Sequence, residues 1–238
     1  MKKFFSVKVL SLLVAMICLL GNITVYAETK NVSNKPNAAT MEEAIKKVKK
    51  QYINDYNLLT QSDKENELIR ISSSYKEGDV LSEKDSAIIL LNAQEVKNAP
   101  TPLAGMSNQW HDTYKSQYGV SVNMYGSMKQ NIAFVAGSST FGGTSNLHIQ
   151  SGSVSKVKLE IFHTAYGLIG TTAPYVGVLY SGSVSMSKSS PGVITSMDKE
   201  LGYGSILPLH TTMYARGTIT TSSGDQFTIL SNTWKQLH

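Results

Sequence analysis

The sequence predicts an α+β protein: a small helical region followed by an antiparallel β-sandwich or small barrel. Composition and periodicity carry that reading. Residues 28–104 hold 11 basic and 12 acidic side chains with one glycine, whereas residues 105–238 hold 8 basic, 5 acidic and 16 glycines. In the second stretch 35 of 134 residues are Ser or Thr, alternating with apolar residues. That alternation is the pattern of a half-buried strand. At 238 residues and 41% hydrophobic composition the chain is able to bury a sizeable core.

The first 27 residues read as a secretion signal. Lys2, Lys3 and Lys8 form a basic start, residues 9–20 are an apolar run, and Val25, Tyr26 and Ala27 end in a cleavage pattern after Ala27. The run is shorter than the roughly 20 residues of a spanning helix. Cys18 is the single cysteine and falls inside this leader, behind Ile17 where lipidation wants a small residue. The mature chain is thus expected to be extracellular and cysteine-free, which excludes disulfides, cysteine nucleophiles and cysteine–zinc sites. Removing the leader removes three basic residues and lowers the net charge from +5 to +2. Nucleic-acid binding is not expected from so small a basic excess.

Residues 28–39 read as a polar tail and residues 40–98 as three short helices, a possible pro-segment. Thr40 with Glu43 offers a capping box for a helix over residues 41–59. Ser62 with Glu65 offers a second, ahead of Leu68, Ile69 and Ile71, and Gly78 a stop. Ser82 with Asp85 opens the third, through Ala87, Ile88, Leu91 and Val96. The lysines at 46, 47, 49 and 50 read as a solvated helix face. Residues 99–109 form a linker, because Pro100 and Pro102 hold their predecessors extended.

Residues 110–238 read as the β domain. Ile132, Phe134 and Ala136 alternate, as do Val157, Leu159 and Ile161, then Val176, Val178 and Tyr180, then Met213, Ala215, Gly217 and Ile219. Runs 214–221 and 226–234 flank Ser222, Ser223, Gly224 and Asp225, a hairpin turn with a glycine free to take a positive φ. Trp234 is expected to be buried, on the opposite side of its strand from Phe227 and Ile229. Segments 137–145 and 202–208 read as longer loops, and loops carry most binding sites on such scaffolds.

No nucleophile elbow, phosphate loop or paired-histidine zinc motif occurs. No cofactor or metal is expected. His111, His148, His163 and His210 match no ligand spacing, and His148 is expected to face away from its apolar neighbours Leu147 and Ile149. Asp198 and Glu200 share one face if extended, the arrangement nearest to a carboxylate pair. Trp110, His111 and Asp112 form a compact polar and aromatic cluster whose tryptophan is expected to be core. Tyrosines recur through the domain, and a tyrosine ring with its polar tip suits sugars and protein partners. The ligand-binding candidates are Trp110, His111, Tyr203, Asp198 and Glu200. Leader, helical region and β domain together look like Gram-positive secreted proteins in general style, and no family motif is carried by them. The function expected is a secreted, non-enzymatic binding or interaction protein. It would act through β-domain loops at the bacterial cell envelope or on an extracellular partner, with a cell-wall glycan or extracellular protein as ligand. The alternatives are an antibacterial or membrane-active β protein, and a hydrolase using Asp198 and Glu200.

Overall fold

A computed structural model describes residues 38–98, 107–133, 138–169, 175–204 and 208–237. The leader, its cleavage point, most of the polar tail, the linker segment 99–106, and Phe134 and Ala136 lie outside the described residues. Three helices come first, α1 (Ala38–Leu58), α2 (Gln61–Ser74) and α3 (Glu83–Asn98). Nine strands follow: β1 (Ser107–Gln117), β2 (Val120–Asn131), β3 (Ser139–Ser151), β4 (Val154–Ile169), β5 (Tyr175–Ser189), β6 (Ile194–Tyr203), β7 (His210–Thr221), β8 (Gln226–Leu230) and β9 (Trp234–Leu237). None of the described helices is long and apolar enough to cross a membrane.

The strands form two antiparallel sheets. One has four strands in the order β1-β2-β3-β6; the other has β5-β4-β7-β8, with β9 also paired to β7. They do not close into a barrel. Val122, Met124, Phe141, Leu147 and Met197 of the first sheet share one buried cluster with Val157, Leu159, Ile161, Met213 and Ile219 of the second. Strand alternation alone produces this core, since every second residue points between the sheets.

Both edge strands of the four-stranded sheet carry a lysine on the core-facing side. Lys115 on β1 stands beside Val122 in register and donates through Nζ to the Thr228 carbonyl of β8 at 2.8 Å. Lys199 on β6 donates through Nζ to the Ser185 carbonyl of β5 at 2.7 Å. An inward charge on an edge strand blocks pairing with a foreign strand, and here each also ties one sheet to the other.

Several local expectations are corrected. Thr40 lies inside α1, which begins at Ala38. The second capping box is Thr60 with Asp63, not Ser62 with Glu65: the Thr60 side chain accepts from the Asp63 N–H, and Asp63 accepts from the Thr60 N–H. Ser82 does cap α3, its Oγ accepting from the Asp85 N–H at 3.2 Å. Residues 139–145 belong to β3, and Gly202 and Tyr203 to β6, not to loops. Gly143 explains the first case: its φ is +133°, and a Cβ there would lie 2.0 Å from the Ser127 carbonyl oxygen, so glycine permits close pairing of β2 and β3. The hairpin at 222–225 forms as expected, with Gly224 at φ +96°. Its second run is interrupted at 231–233, which returns Trp234 to the same buried cluster as Phe227 and Ile229.

The helices cover part of the outer side of the five-stranded sheet. A bulge shifts the register between Ala165 and Tyr166 of β4 against β5. Val176 and Val178 therefore face the helices, while Tyr180 beyond the bulge packs against the inter-sheet core. Tyr166, Val176 and Val178 share a buried cluster with Leu68, Ile71, Leu81 and residues 88–91. The stretch between α2 and α3 adds a short antiparallel bridge, Val80 to Gly177. Around it Gly78 N–H donates to Val178 O, Val178 N–H to Asp79 O, and Leu81 N–H to Val176 O, at 2.8 to 3.0 Å. Residues 37–238 form one compact unit.

Candidate functional site: the open face of the four-stranded sheet

The two sheets differ in what lies outside them. The helices pack on the five-stranded sheet, whereas among the described residues the outer side of the four-stranded sheet is an open grid of side chains. Its rows follow from strand register. Trp110, Ser127, Thr144 and Asp198 stand in one row; Asp112, Tyr125, Asn146 and Ser196 in the next; Tyr114, Asn123, His148 and Ile194 in a third. On the other side of the first row lie Asn108, Lys129, Gly142 and Glu200. At strand spacings near 4.8 Å, Trp110 and Asp198 are roughly 14 Å apart across the sheet.

Aromatic rings gather at the β1–β2 side of this grid. Trp110 is 63% exposed and Tyr114 59% exposed, against the expectation of a core tryptophan. The reason is parity: His111 takes the inward position, so Trp110 must point out. The Trp110 and Tyr125 ring centroids are 6.3 Å apart and tilted by 35°. The Asn146 amide donates to the Tyr125 carbonyl at 3.3 Å, holding the neighbouring strand beneath the ring. Toward β3 and β6 the grid changes to hydroxyls, amides and carboxylates. Ser127 and Thr144 hydroxyls lie 3.3 Å apart. His148 stands half-buried on this face, as its flanking residues predict.

Of the five sequence candidates, three lie on this face, Trp110 at one edge and Asp198 and Glu200 at the other. The carboxylates stand side by side on an uncovered strand, about 7 Å apart along it, with no cleft between them. The other two candidates point into the molecule. His111 is 5% exposed, and burial pushes its pKa down, opposed by the nearby Thr144 and Met124 backbone and by Asp112. Burial thus disfavours its charged form. Tyr203 belongs to an aromatic group between the sheets. Its hydroxyl meets His163 Nε2 at 2.8 Å and its ring stacks on Tyr180 at 4.0 Å and 10°. Burial raises its pKa well above the ordinary tyrosine value.

Beside these candidates the face brings in Tyr114 and Tyr125, which the sequence offers only as two of many tyrosines, and Asn123 and Asn146, which it does not single out. Only Tyr114 shares a strand with Trp110 at a spacing of four, a same-face signal; the others reach the site through register. No group of three or more His, Cys, Asp or Glu able to hold a metal ion occurs among the described residues. Two grooves lie elsewhere. One of about 390 Å³ runs between α2 and the five-stranded sheet past Phe162, Tyr214 and Arg216, and one of about 410 Å³ opens among the helices at Tyr52, Leu59 and Ile88. In the first, Arg216 lies over the Phe162 ring at 4.5 Å and donates to Glu160, which also pairs with Lys158. Neither groove contains a sequence candidate.

No family model matches the chain, and no curated protein does. Among solved structures, Northeast Structural Genomics Consortium target SoR45 is similar at a TM-score of 0.23 and 9% identity, over 56% of this chain and 83% of that one. The structure of manganese lipoxygenase of Gaeumannomyces graminis with part of zonadhesin of Komagataella pastoris is similar at a TM-score of 0.21 and 8% identity, over 58% and 77%. At those scores neither likeness bears on fold or function.

Proposed function

We propose that this chain is a secreted binding protein that holds an extended glycan of the bacterial envelope on the open face of its four-stranded sheet. The observation that carries the reading is the strip of Trp110, Tyr125 and Tyr114, set in adjacent rows of a face that no other element of the described structure covers. Trp110 and Tyr114 are about 13 Å apart along β1, so the strip accommodates several sugar rings in line. Sugar rings carry apolar C–H faces that stack on aromatic rings, and their hydroxyls seek acceptors and donors at the flanks. Asn123, Asn146, Ser127 and Thr144 supply those flanking groups. The loops, where the sequence places binding, are replaced in this reading by a rigid strand surface, which loses little conformational freedom on binding.

The experiment is retention of the purified protein on insoluble peptidoglycan, chitin and cellulose. Trp110→Ala is expected to lower retention at least tenfold while melting at the wild-type temperature. Undiminished retention of that variant, or no retention of the wild type on any of the three, removes the reading.

A further inference from the structure

Asp112 occupies the centre of the aromatic strip. On β1 it is flanked on the same face by Trp110 and Tyr114, and in register its partner across to β2 is Tyr125. A carboxylate is thus surrounded on three sides by aromatic rings. Asp112 is exposed and forms no ion pair among the described residues. In the three rows through Trp110, Asp112 and Tyr114, no Lys or Arg is present; the acidic side chains are Asp112 and Asp198. Lys115, the basic residue nearest in sequence, points to the other side of β1 and is bonded to the Thr228 carbonyl.

Aromatic rings present negative electrostatic faces, and cations are held over them; a carboxylate among such rings adds a full opposite charge. The same arrangement disfavours a phosphate or carboxylate ligand at Asp112, because the nearest lysine on this face, Lys129, stands two rows away beyond Trp110. We propose that Asp112 with Trp110, Tyr114 and Tyr125 is a seat for a ligand ammonium group. This rests on the glycan reading of the face and narrows it to a polymer that carries positive charge. The ammonium can come from two sources, the free amine of a deacetylated amino sugar or a quaternary ammonium substituent. A single contact of this exposed kind is weak, so a polymer repeating the group gains through multiple engagement of the strip.

The chain offers its own reporter. Its two tryptophans are Trp110, 63% exposed, and Trp234, 9% exposed, so added solutes reach the fluorescence of Trp110 selectively. The full chain is titrated with tetramethylammonium, glucosamine and N-acetylglucosamine at low ionic strength. Both cations are expected to shift Trp110 emission, and the uncharged acetylated sugar to do so much less. Asp112→Asn, an exposed and nearly isosteric change, is expected to weaken the cation response about two- to fivefold without altering the melting temperature. A stronger response to glucosamine assigns the amino sugar as source, and a stronger one to tetramethylammonium assigns the quaternary group. An equal response to all three compounds, an Asp112→Asn protein with unchanged response, or no response to either cation overturns the seat. Retention on neutral glycans lost in Trp110→Ala is read separately, so the glycan face survives if only the ammonium seat fails.

Discussion

The two tryptophans show how one residue type serves opposite purposes. Trp234 is buried in the inter-sheet cluster with Phe227 and Ile229, while Trp110 stands in solvent beside Tyr125. Truncating a core aromatic removes its burial energy and leaves a cavity, together about 3 to 5 kcal/mol. Trp234→Ala should therefore unfold at much lower denaturant, and Trp110→Ala should stay within about 0.5 kcal/mol of wild type. Equilibrium denaturation of the two variants checks this, and equal midpoints would place Trp234 outside the core. The sequence reading of both tryptophans as core holds for Trp234 and fails for Trp110. Near a strand start, face assignment rests on which residue first points inward, and the small polar neighbours of Trp110 leave that parity open. His111, itself polar yet buried, hides the signal.

Among elements, the strands with clean alternation were legible and those with special backbone were not. Val157, Leu159 and Ile161 read correctly as a buried face because they lie between the register shifts of β4, one before Lys156 and one after Ala165. Val176, Val178 and Tyr180 keep the same period in the sequence, but the bulge sends the valines to the helices and the tyrosine to the inter-sheet core. A bulge adds a residue without leaving a mark in composition. Gly142 and Gly143 read as loop for a similar reason: glycine signals both turns and close strand contact. The open face was half legible: Asp198 and Glu200 share one face of a single strand, which the sequence shows, but only register brings Trp110 of β1 onto the same side of the sheet. At the α2–α3 joint, the sequence does show Ser82 and Asp85, but not that the buried Asp85 carboxylate accepts from Arg70 and Tyr75 while the Asp85 N–H donates to Ser82 Oγ. Burial pushes that carboxyl up, and the hydrogen bonds from Arg70, Tyr75 and Ser82 outweigh it, so the group titrates below its ordinary value of 3.8. A carboxyl with a lowered folded-state value stabilises the fold fully above the ordinary value. That contribution disappears as pH falls through the lower folded one. Asp85→Asn is expected to cost about 1 to 2 kcal/mol at neutral pH, because charge-assisted bonds are lost while Arg70 stays partly solvated. The gap between variant and wild-type melting temperatures should narrow steadily below about pH 4. A gap independent of pH would show that Asp85 acts through shape and not through charge.

For the whole molecule, the compositional break near residue 100 separates two kinds of polymer that nonetheless share a core. The helices bring Leu68, Ile71 and Leu81 against Tyr166, Val176 and Val178, and Ser72 Oγ lies 2.8 Å from Tyr166 Oη and 3.2 Å from Thr212 Oγ1. Gly177 lets the 78–81 stretch approach β5, since a Cβ there would lie 2.6 Å from the Asp79 carbonyl oxygen. Six apolar side chains at about 2 kcal/mol each give on the order of 10 kcal/mol across this contact. Rejoining two separate pieces costs roughly 4 to 15 kcal/mol in lost translational and rotational freedom. The gain and the cost are of the same order, so a cut in residues 99–106 tests whether the shared cluster alone holds the two pieces together. A specific protease site placed in that stretch, once cut, should leave both pieces eluting together in size-exclusion chromatography, with helical content unchanged. Addition of moderate denaturant should separate them and expose Tyr166, Val176 and Val178, read as binding of an apolar dye to the β piece. If the β piece elutes alone as a folded monomer without dye binding directly after the cut, the helical region is an independent segment. The compositional break would then mark a true domain boundary despite the shared cluster.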